Sequence, residues 1–299
     1  RVGVGDIAFF NGDYDTALFQ YQIVLQDSPD PLLRAEAKWG EARIYYAQGR
    51  YNETLTALQV LITEYSQSPQ FPQAYFLQGF VYYKLENYSA AADAWQVYLT
   101  LRPGVLDAYV QEIRGDALYN AKNYPAALSA YTTSIQAASL GDDTILDLKV
   151  ANTQTQLGNY ETAITLYDGI IGRATNDYIK AQALYEAGLA NQAQGQSAEA
   201  NERFRYAVEN YPLSYYSYLS LVALLDAGGT VNELDRGLVD YFAGQYAVGI
   251  AAFDRYLQSN PPDNDGTAVY YRALSKNGLG QYDEALVDYE SFIANFSAH

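Results

Sequence analysis

The segment GFVYYKLENYSAAADAWQVYLTLRP, residues 79–103, decides the fold. Its central tyrosine, Tyr88, is the anchor of a pattern of small and large side chains. One small residue, Gly79, lies nine residues before the anchor, and another, Ala91, lies three residues after it. A large residue, Trp95, lies seven residues after the anchor. Ala91 and Trp95 share one face of a helix, so the segment predicts two closely packed helices with a turn before Tyr88.

This pattern recurs eight times in the 299 residues, with intervals of 37, 37, 36, 36, 37, 49 and 36 residues between anchors. Glycine lies two residues before six of the anchors, where it can end a helix in the left-handed conformation. A self-similar period of this length indicates an array in which each repeat is one pair of helices. The anchors are Tyr14, Tyr51, Tyr88, Tyr124, Tyr160, Ser197, Tyr246 and Tyr282.

The order of small, small, aromatic and proline residues, seen as Gly79, Ala91, Trp95 and Pro103, resembles the tetratricopeptide repeat family. The resemblance extends over the whole chain, residues 1–299. It implies an all-α fold, a right-handed α-solenoid with a concave groove, built here from eight helix pairs in a single domain. It also implies a non-catalytic scaffold for protein–protein interactions.

The interval of 49 residues is the one irregularity, and it predicts an extra helix over residues 214–227. The sequence around it, residues 211–256, also resembles the helical superstructure of bacterial soluble lytic transglycosylases. That resemblance is short and rests on a pattern of Tyr and Leu. It does not include the catalytic domain of that family, so it implies an accessory helical domain and no activity.

Composition argues against several classes of function. The 35 acidic residues exceed the 18 basic ones and give a net charge of −17, which disfavours binding to nucleic acid or anionic membranes. The only histidine is His299, and cysteine is absent, so we predict no catalytic residues, no metal site and no cofactor. The lack of cysteine, and of methionine even at position 1, favours an extracellular or cell-envelope location, with the cytoplasm as the alternative.

In each repeat, the first helix of the pair has a predicted inner face. Aromatic and acidic side chains dominate this face. Such a stripe suits peptide, glycan or subunit contacts, although burial between neighbouring repeats is an equally good interpretation. The predicted groove residues are Trp39, Arg43, Tyr46, Phe76, Phe80, Tyr83, Glu112, Asp116, Tyr119, Tyr185, Tyr241 and Tyr270.

The two ends of the array are also candidate surfaces, because a terminal repeat without a polar capping helix exposes its stacking face. Either a further part of a longer chain covers these ends, or copies stack end to end, and an open head-to-tail contact would generate a filament. The predicted end residues are Phe9, Phe10, Tyr289, Phe292, Ile293 and Phe296.

Three sequons make Asn52, Asn87 and Asn295 candidates for N-glycosylation. The sequence thus favours a non-catalytic scaffold that self-assembles into a homo-oligomer or filament. Two alternatives stay open: an accessory helical domain of a lytic transglycosylase, and a groove that binds peptide or glycan.

Overall fold

The computed structural model of the protein describes residues 1–137, 144–262 and 264–296. In these residues all regular secondary structure is helical, as predicted. The helices are α1 (Val2–Phe10), α2 (Tyr14–Asp27), α3 (Pro31–Ala47), α4 (Tyr51–Glu64), α5 (Gln70–Lys84), α6 (Tyr88–Leu101), α7 (Asp107–Asn120), α8 (Tyr124–Gln136), α9 (Thr144–Gln156), α10 (Tyr160–Arg173), α11 (Asp177–Ala193), α12 (Ser197–Asn210), α13 (Tyr215–Asp226), α14 (Glu233–Phe242), α15 (Tyr246–Gln258), α16 (Thr267–Gly278) and α17 (Tyr282–Phe296).

Each anchor residue is the first residue of the second helix of its pair, which we call helix B; the first is helix A. The extra helix is confirmed as α13, and its N-cap Ser214 accepts a hydrogen bond from the Tyr216 amide. The chain divides into two compact units, Arg1–Leu146 and Asp147–His299. The single solenoid domain, and the local resemblance to lytic transglycosylases, stay predictions.

The turn between helices A and B has the same hydrogen bonds in the first repeat as in later ones. Gly12 has a φ of +78°, and its amide donates to the Phe9 carbonyl while the Asp13 amide donates to the Ala8 carbonyl. These two bonds satisfy carbonyls that the helix end would otherwise leave unpaired. Where glycine is missing, Glu86 and Lys122 adopt the same left-handed conformation. The predicted glycine caps are confirmed, and the turn geometry persists without glycine.

Small residues nine positions before the anchors give space to the large residues seven positions after them. A Cβ on Gly79 would lie 2.4 Å from the Trp95 ring nitrogen, and one on Gly188 would lie 2.3 Å from the Phe204 ring. Trp95 is buried, and its indole N–H donates to the Phe76 carbonyl at 3.1 Å. In these two repeats helices A and B therefore approach so closely that only the absence of a Cβ leaves room for the ring.

Helix B also packs on helix A of the next repeat, as α2 does on α3, α4 on α5 and α15 on α16. The register position that lies seven residues before each anchor is part of this contact, and we call it the stacking position. In the first unit it is occupied by Ile44, Val81 and Ala117 in α3, α5 and α7, and all three are fully buried. Stacking of repeats thus accounts for much of the core.

Candidate functional site

The predicted groove residues of the first unit are half-buried, neither free in solvent nor fully enclosed. Tyrosines five positions before the anchors contact the anchor tyrosine of their own repeat. The ring centroids lie 6.1 Å apart for Tyr46 and Tyr51, 5.2 Å for Tyr83 and Tyr88, and 5.3 Å for Tyr119 and Tyr124. In the second unit Tyr241 contacts Tyr246 in the same way, at 5.8 Å. A repeated part of the aromatic stripe is therefore fixed by packing within each repeat.

Other groove aromatics of the first unit pack beneath this surface. The Phe80 ring lies 5.2 Å from Trp95 and 5.1 Å from Phe76, and the Phe76 ring lies 5.0 Å from Tyr98. Aromatic pairs at these separations stabilise a core beyond the area that they bury. Phe76 and Phe80 thus contribute to the core as well as to the groove wall.

The groove charges near the first repeat are also engaged within the unit. The Arg43 Nη2 atom lies 2.7 Å from Asp6 Oδ1, and its guanidinium lies 4.7 Å above the Phe9 ring. The Tyr21 hydroxyl donates to the same Asp6 oxygen at 2.7 Å. Burial, together with this hydrogen bond to Asp6, raises the pKa of Tyr21. Arg43 therefore joins helices α1 and α3 rather than projecting as a free charge.

The same kind of polar pair recurs wherever a buried tyrosine lies seven residues after the anchor. The Tyr131 hydroxyl donates to Asp116 Oδ1 at 2.8 Å, and the Tyr167 hydroxyl donates to Asn152 Oδ1 at 2.6 Å. Repeats with Trp95, Phe204 or Phe253 at this position have an apolar partner instead, namely Phe80, Leu189 or Leu238. Asp116 is a predicted groove residue, and its pairing with Tyr131 was not predicted, although the position eight residues before the anchor is polar in all three repeats with a buried tyrosine.

The end of the first unit exposes a position that other repeats bury. Ile7 occupies the stacking position of α1 and is 65% exposed, whereas Ile44 occupies the same position in α3 and is fully buried. Phe10 on the same helix is 77% exposed, and Phe9 is half-buried beside Tyr14. Ile7 was missing from the predicted end residues, although its register alone marks it as a stacking residue.

The last helix of the second unit also exposes a position that an inner repeat buries. Ile293 lies eleven residues after its anchor and is 65% exposed, while Val208 at the same position in α12 is fully buried. Tyr289 and Phe292 are half-buried against Tyr270, with centroid distances of 6.3 and 5.3 Å. The half-buried Phe296 stacks on Phe292 at 5.9 Å. Among the predicted residues of α17, Ile293 therefore presents the largest apolar surface.

The sequons lie in different surroundings. Asn52 is exposed in the first turn of α4, but Thr54 of its sequon is buried and donates its hydroxyl to the Arg50 carbonyl at 2.9 Å. Asn87 is exposed and caps α6, with its side-chain oxygen accepting from the Ala90 amide. Asn295 is exposed on α17, and Ser297 of its sequon lies outside the described residues.

The described part of the chain contains no group of three His, Asp or Glu side chains arranged to hold a metal ion. Its helices are all too short or too polar to cross a lipid bilayer. His299 lies outside the described residues.

Two sequence models of the tetratricopeptide repeat match the chain, one over residues 5–69, 76–142, 114–178 and 234–297, the other over residues 182–214. Among solved structures, the C-terminal part of a TPR repeat-containing protein from Cytophaga hutchinsonii is 14% identical with a TM-score of 0.53, covering 93% of this chain and 99% of that chain. Apo RapI is 11% identical with a TM-score of 0.50, covering 98% and 85%. The MamA protein is 18% identical with a TM-score of 0.48, covering 58% and 90%. No curated protein sequence matches the chain.

Proposed function

Because the chain belongs to the tetratricopeptide repeat family, whose repeats build protein-interaction scaffolds, we propose that it is a non-catalytic scaffold that assembles end to end with its own copies. The observation that supports this proposal is the exposure of Ile7 and Ile293, each at a register position that inner repeats shield more. Burying an isoleucine side chain contributes roughly 1.5–3 kcal/mol. Two exposed end faces therefore offer a substantial driving force for association.

The two faces are complementary rather than alike. Within each unit, helix B of one repeat covers helix A of the next. The face of α1 is a helix A surface that exposes Ile7, and the face of α17 is a helix B surface that exposes Ile293. One copy's α17 can therefore cover another copy's α1 in the way that α2 covers α3. Such a contact is heterologous, and unless it closes into a ring it propagates into a filament.

Single lysine substitutions test this proposal. Ile293→Lys places a charge in the proposed contact, and burying an unpaired charge is costly, so we expect the variant to be monomeric. The matched control is Val287→Lys on the same helix. Val287 is 64% exposed, and its register position, five residues after the anchor, is exposed in every repeat, so it lies outside the stacking face.

Analytical ultracentrifugation over a concentration series gives the readout. Concentration-dependent growth for the wild type and for Val287→Lys, with monomers for Ile293→Lys, would support the proposal. A wild-type protein that is monomeric at every concentration would contradict it. The groove would then be the better candidate for the working surface.

A further inference from the structure

The repeat pattern is interrupted at α13, and this region has a cleft of its own. The cleft has a volume of about 140 Å³ and lies between the start of α11 and the connection from α12 to α13. Tyr178 and Tyr211 contribute to its walls, together with Pro212 and Leu213. Leu213 is 74% exposed. An exposed apolar side chain beside an aromatic cleft is a common feature of binding sites.

Further tyrosines extend the cleft into a broad surface. The Tyr216 ring lies 5.2 Å from Tyr178, 6.0 Å from Tyr185 and 6.4 Å from Tyr215. Tyr178 and Tyr215 are largely exposed, unlike the half-buried groove tyrosines of the first unit. Because each ring is held by its neighbours, these tyrosines can contact a partner with little loss of conformational entropy.

Acidic groups border this surface. The Asp177 carboxylate lines the cleft and lies 3.7 Å from the Lys180 amine, which itself lies 5.8 Å from the centre of the Tyr211 ring. Glu186 lies near Tyr216: burial, with Tyr178 and the Glu186 carboxylate, raises the pKa of that tyrosine. Two carboxylates and one amine favour a partner with positive charge.

We propose that this surface binds a proline-rich segment that carries a basic residue beside its prolines. A polyproline II helix is preformed, has no internal hydrogen bonds and docks into grooves lined by aromatic residues. In this arrangement a proline ring occupies the cleft between Tyr178 and Tyr211. Exposed tyrosine hydroxyls donate to the unpaired peptide carbonyls, and the basic side chain pairs with Asp177 or Glu186.

The polar groups in the cleft favour a proline-rich peptide over a sugar. The Asn210 side-chain amide donates to the Tyr206 carbonyl at 2.9 Å, and the Ser214 hydroxyl oxygen accepts from the Tyr216 amide at 3.2 Å. These groups are already engaged in local structure. A sugar would need several free polar partners at fixed positions, whereas a proline ring needs apolar and aromatic walls.

The proposal is tested with fluorescein-labelled peptides and the 299-residue chain. The probe is a decapeptide of eight prolines flanked by two arginines, and its binding is followed by fluorescence anisotropy. One control peptide has glycine in place of proline, and another has glutamate in place of arginine. We expect saturable binding of the first peptide, with Kd values at least about tenfold higher for both controls.

Two variants and a control locate the site. Tyr178→Ser and Leu213→Ser each remove an exposed wall of the cleft, and each should raise the Kd at least about fivefold. Tyr282→Ser removes a tyrosine at the last anchor that is even more exposed than Tyr178, and it should leave the Kd unchanged. Circular dichroism checks that all three variants stay helical.

Three results would overturn the proposal: no saturable binding of the proline-arginine peptide, equal binding of the glycine peptide, or full binding by both cleft variants. Saturable binding of a chito-oligosaccharide without binding of the peptide would assign the surface to glycans instead and would also overturn it. None of these results depends on end-to-end assembly, since the cleft residues lie apart from α1 and α17 in the sequence.

Discussion

The first repeat and the second repeat place the same residue at two register positions, yet the environments of these residues differ. Ile7 and Ile44 both occupy the stacking position, and Gly3 and Gly40 both lie eleven residues before their anchors. Ile44 is fully buried, and a Cβ on Gly40 would lie 2.3 Å from the Tyr21 ring, whereas Ile7 is exposed and Gly3 has no neighbour within 4 Å. The difference arises because α2, helix B of the first repeat, covers α3, whereas no described helix B covers the corresponding face of α1. The first repeat therefore has the local structure of an inner repeat, while the surface at Ile7 and Gly3 is open.

The largest expected difference is between two alanine substitutions. Ile44→Ala leaves a cavity in the core of the first unit and should lower the free energy of unfolding by about 2–5 kcal/mol. Ile7→Ala removes an exposed side chain and should change it by less than about 0.5 kcal/mol. Urea unfolding followed by circular dichroism, in the Ile293→Lys background to prevent assembly, measures both. Equal losses would show that Ile7 is covered within a single copy.

The two glycines form the next matched pair. Gly40→Ala forces a methyl group against the Tyr21 ring and should cost about 1–3 kcal/mol of stability. Gly3→Ala has open space and gains helix propensity, so it should leave the stability unchanged or raise it by up to about 1 kcal/mol. Thermal unfolding midpoints compare the two variants. A destabilising Gly3→Ala would contradict the open face of α1.

Much of this fold could be predicted from the sequence because the repeat spacing follows from steric fit. Gly79 and Trp95 are constrained by each other, so their separation places helix A against helix B, and the 49-residue interval marks the extra helix. The surfaces were harder to predict. Asp116 looks like a groove charge in the sequence, but its partner Tyr131 is fifteen residues away and reaches it only through the packing of α7 on α8.

The exposure of particular tyrosines also could not be predicted. Tyr83 and Tyr215 are both tyrosines near the start or end of a helix, and composition does not distinguish them. Tyr83 contacts the anchor Tyr88 of its own repeat, whereas Tyr215 lies on a helix outside the repeat pattern and has no anchor to pack against. Tertiary neighbours decide exposure, and one sequence does not specify them.

A buried tyrosine pair should distinguish the fourth repeat from the last one by a smaller amount. Tyr131→Phe removes the hydrogen bond to Asp116 and should cost about 1–1.5 kcal/mol, because it leaves a partly buried acceptor with fewer partners. Tyr289, at the same position in the last repeat, is half-buried, and no hydrogen bond to a described residue is seen for its hydroxyl. Tyr289→Phe should therefore be nearly neutral. Urea unfolding measures the change in the free energy of unfolding for both variants. An equal cost would contradict the difference in hydrogen bonding between the two tyrosines.

Substitutions in the turns should have the same effect on stability in the first and the second repeat. Gly12 and Gly49 have φ values of +78° and +72°, and a Cβ on either would meet no neighbour. Gly12→Ala and Gly49→Ala should therefore each cost about 1–2 kcal/mol, the cost of the left-handed conformation for alanine. A clear difference between their thermal unfolding midpoints would show that the terminal turn is less well formed than the inner one.

The most direct test of end-to-end assembly is a mixing measurement. Ile7→Lys damages the α1 face and keeps the α17 face, whereas Ile293→Lys does the reverse. Analytical ultracentrifugation should find each variant monomeric alone and a heterodimer, with no larger species, in a 1:1 mixture. A mixture that remains monomeric, or a single variant that dimerises by itself, would contradict a head-to-tail contact between α17 of one copy and α1 of the next.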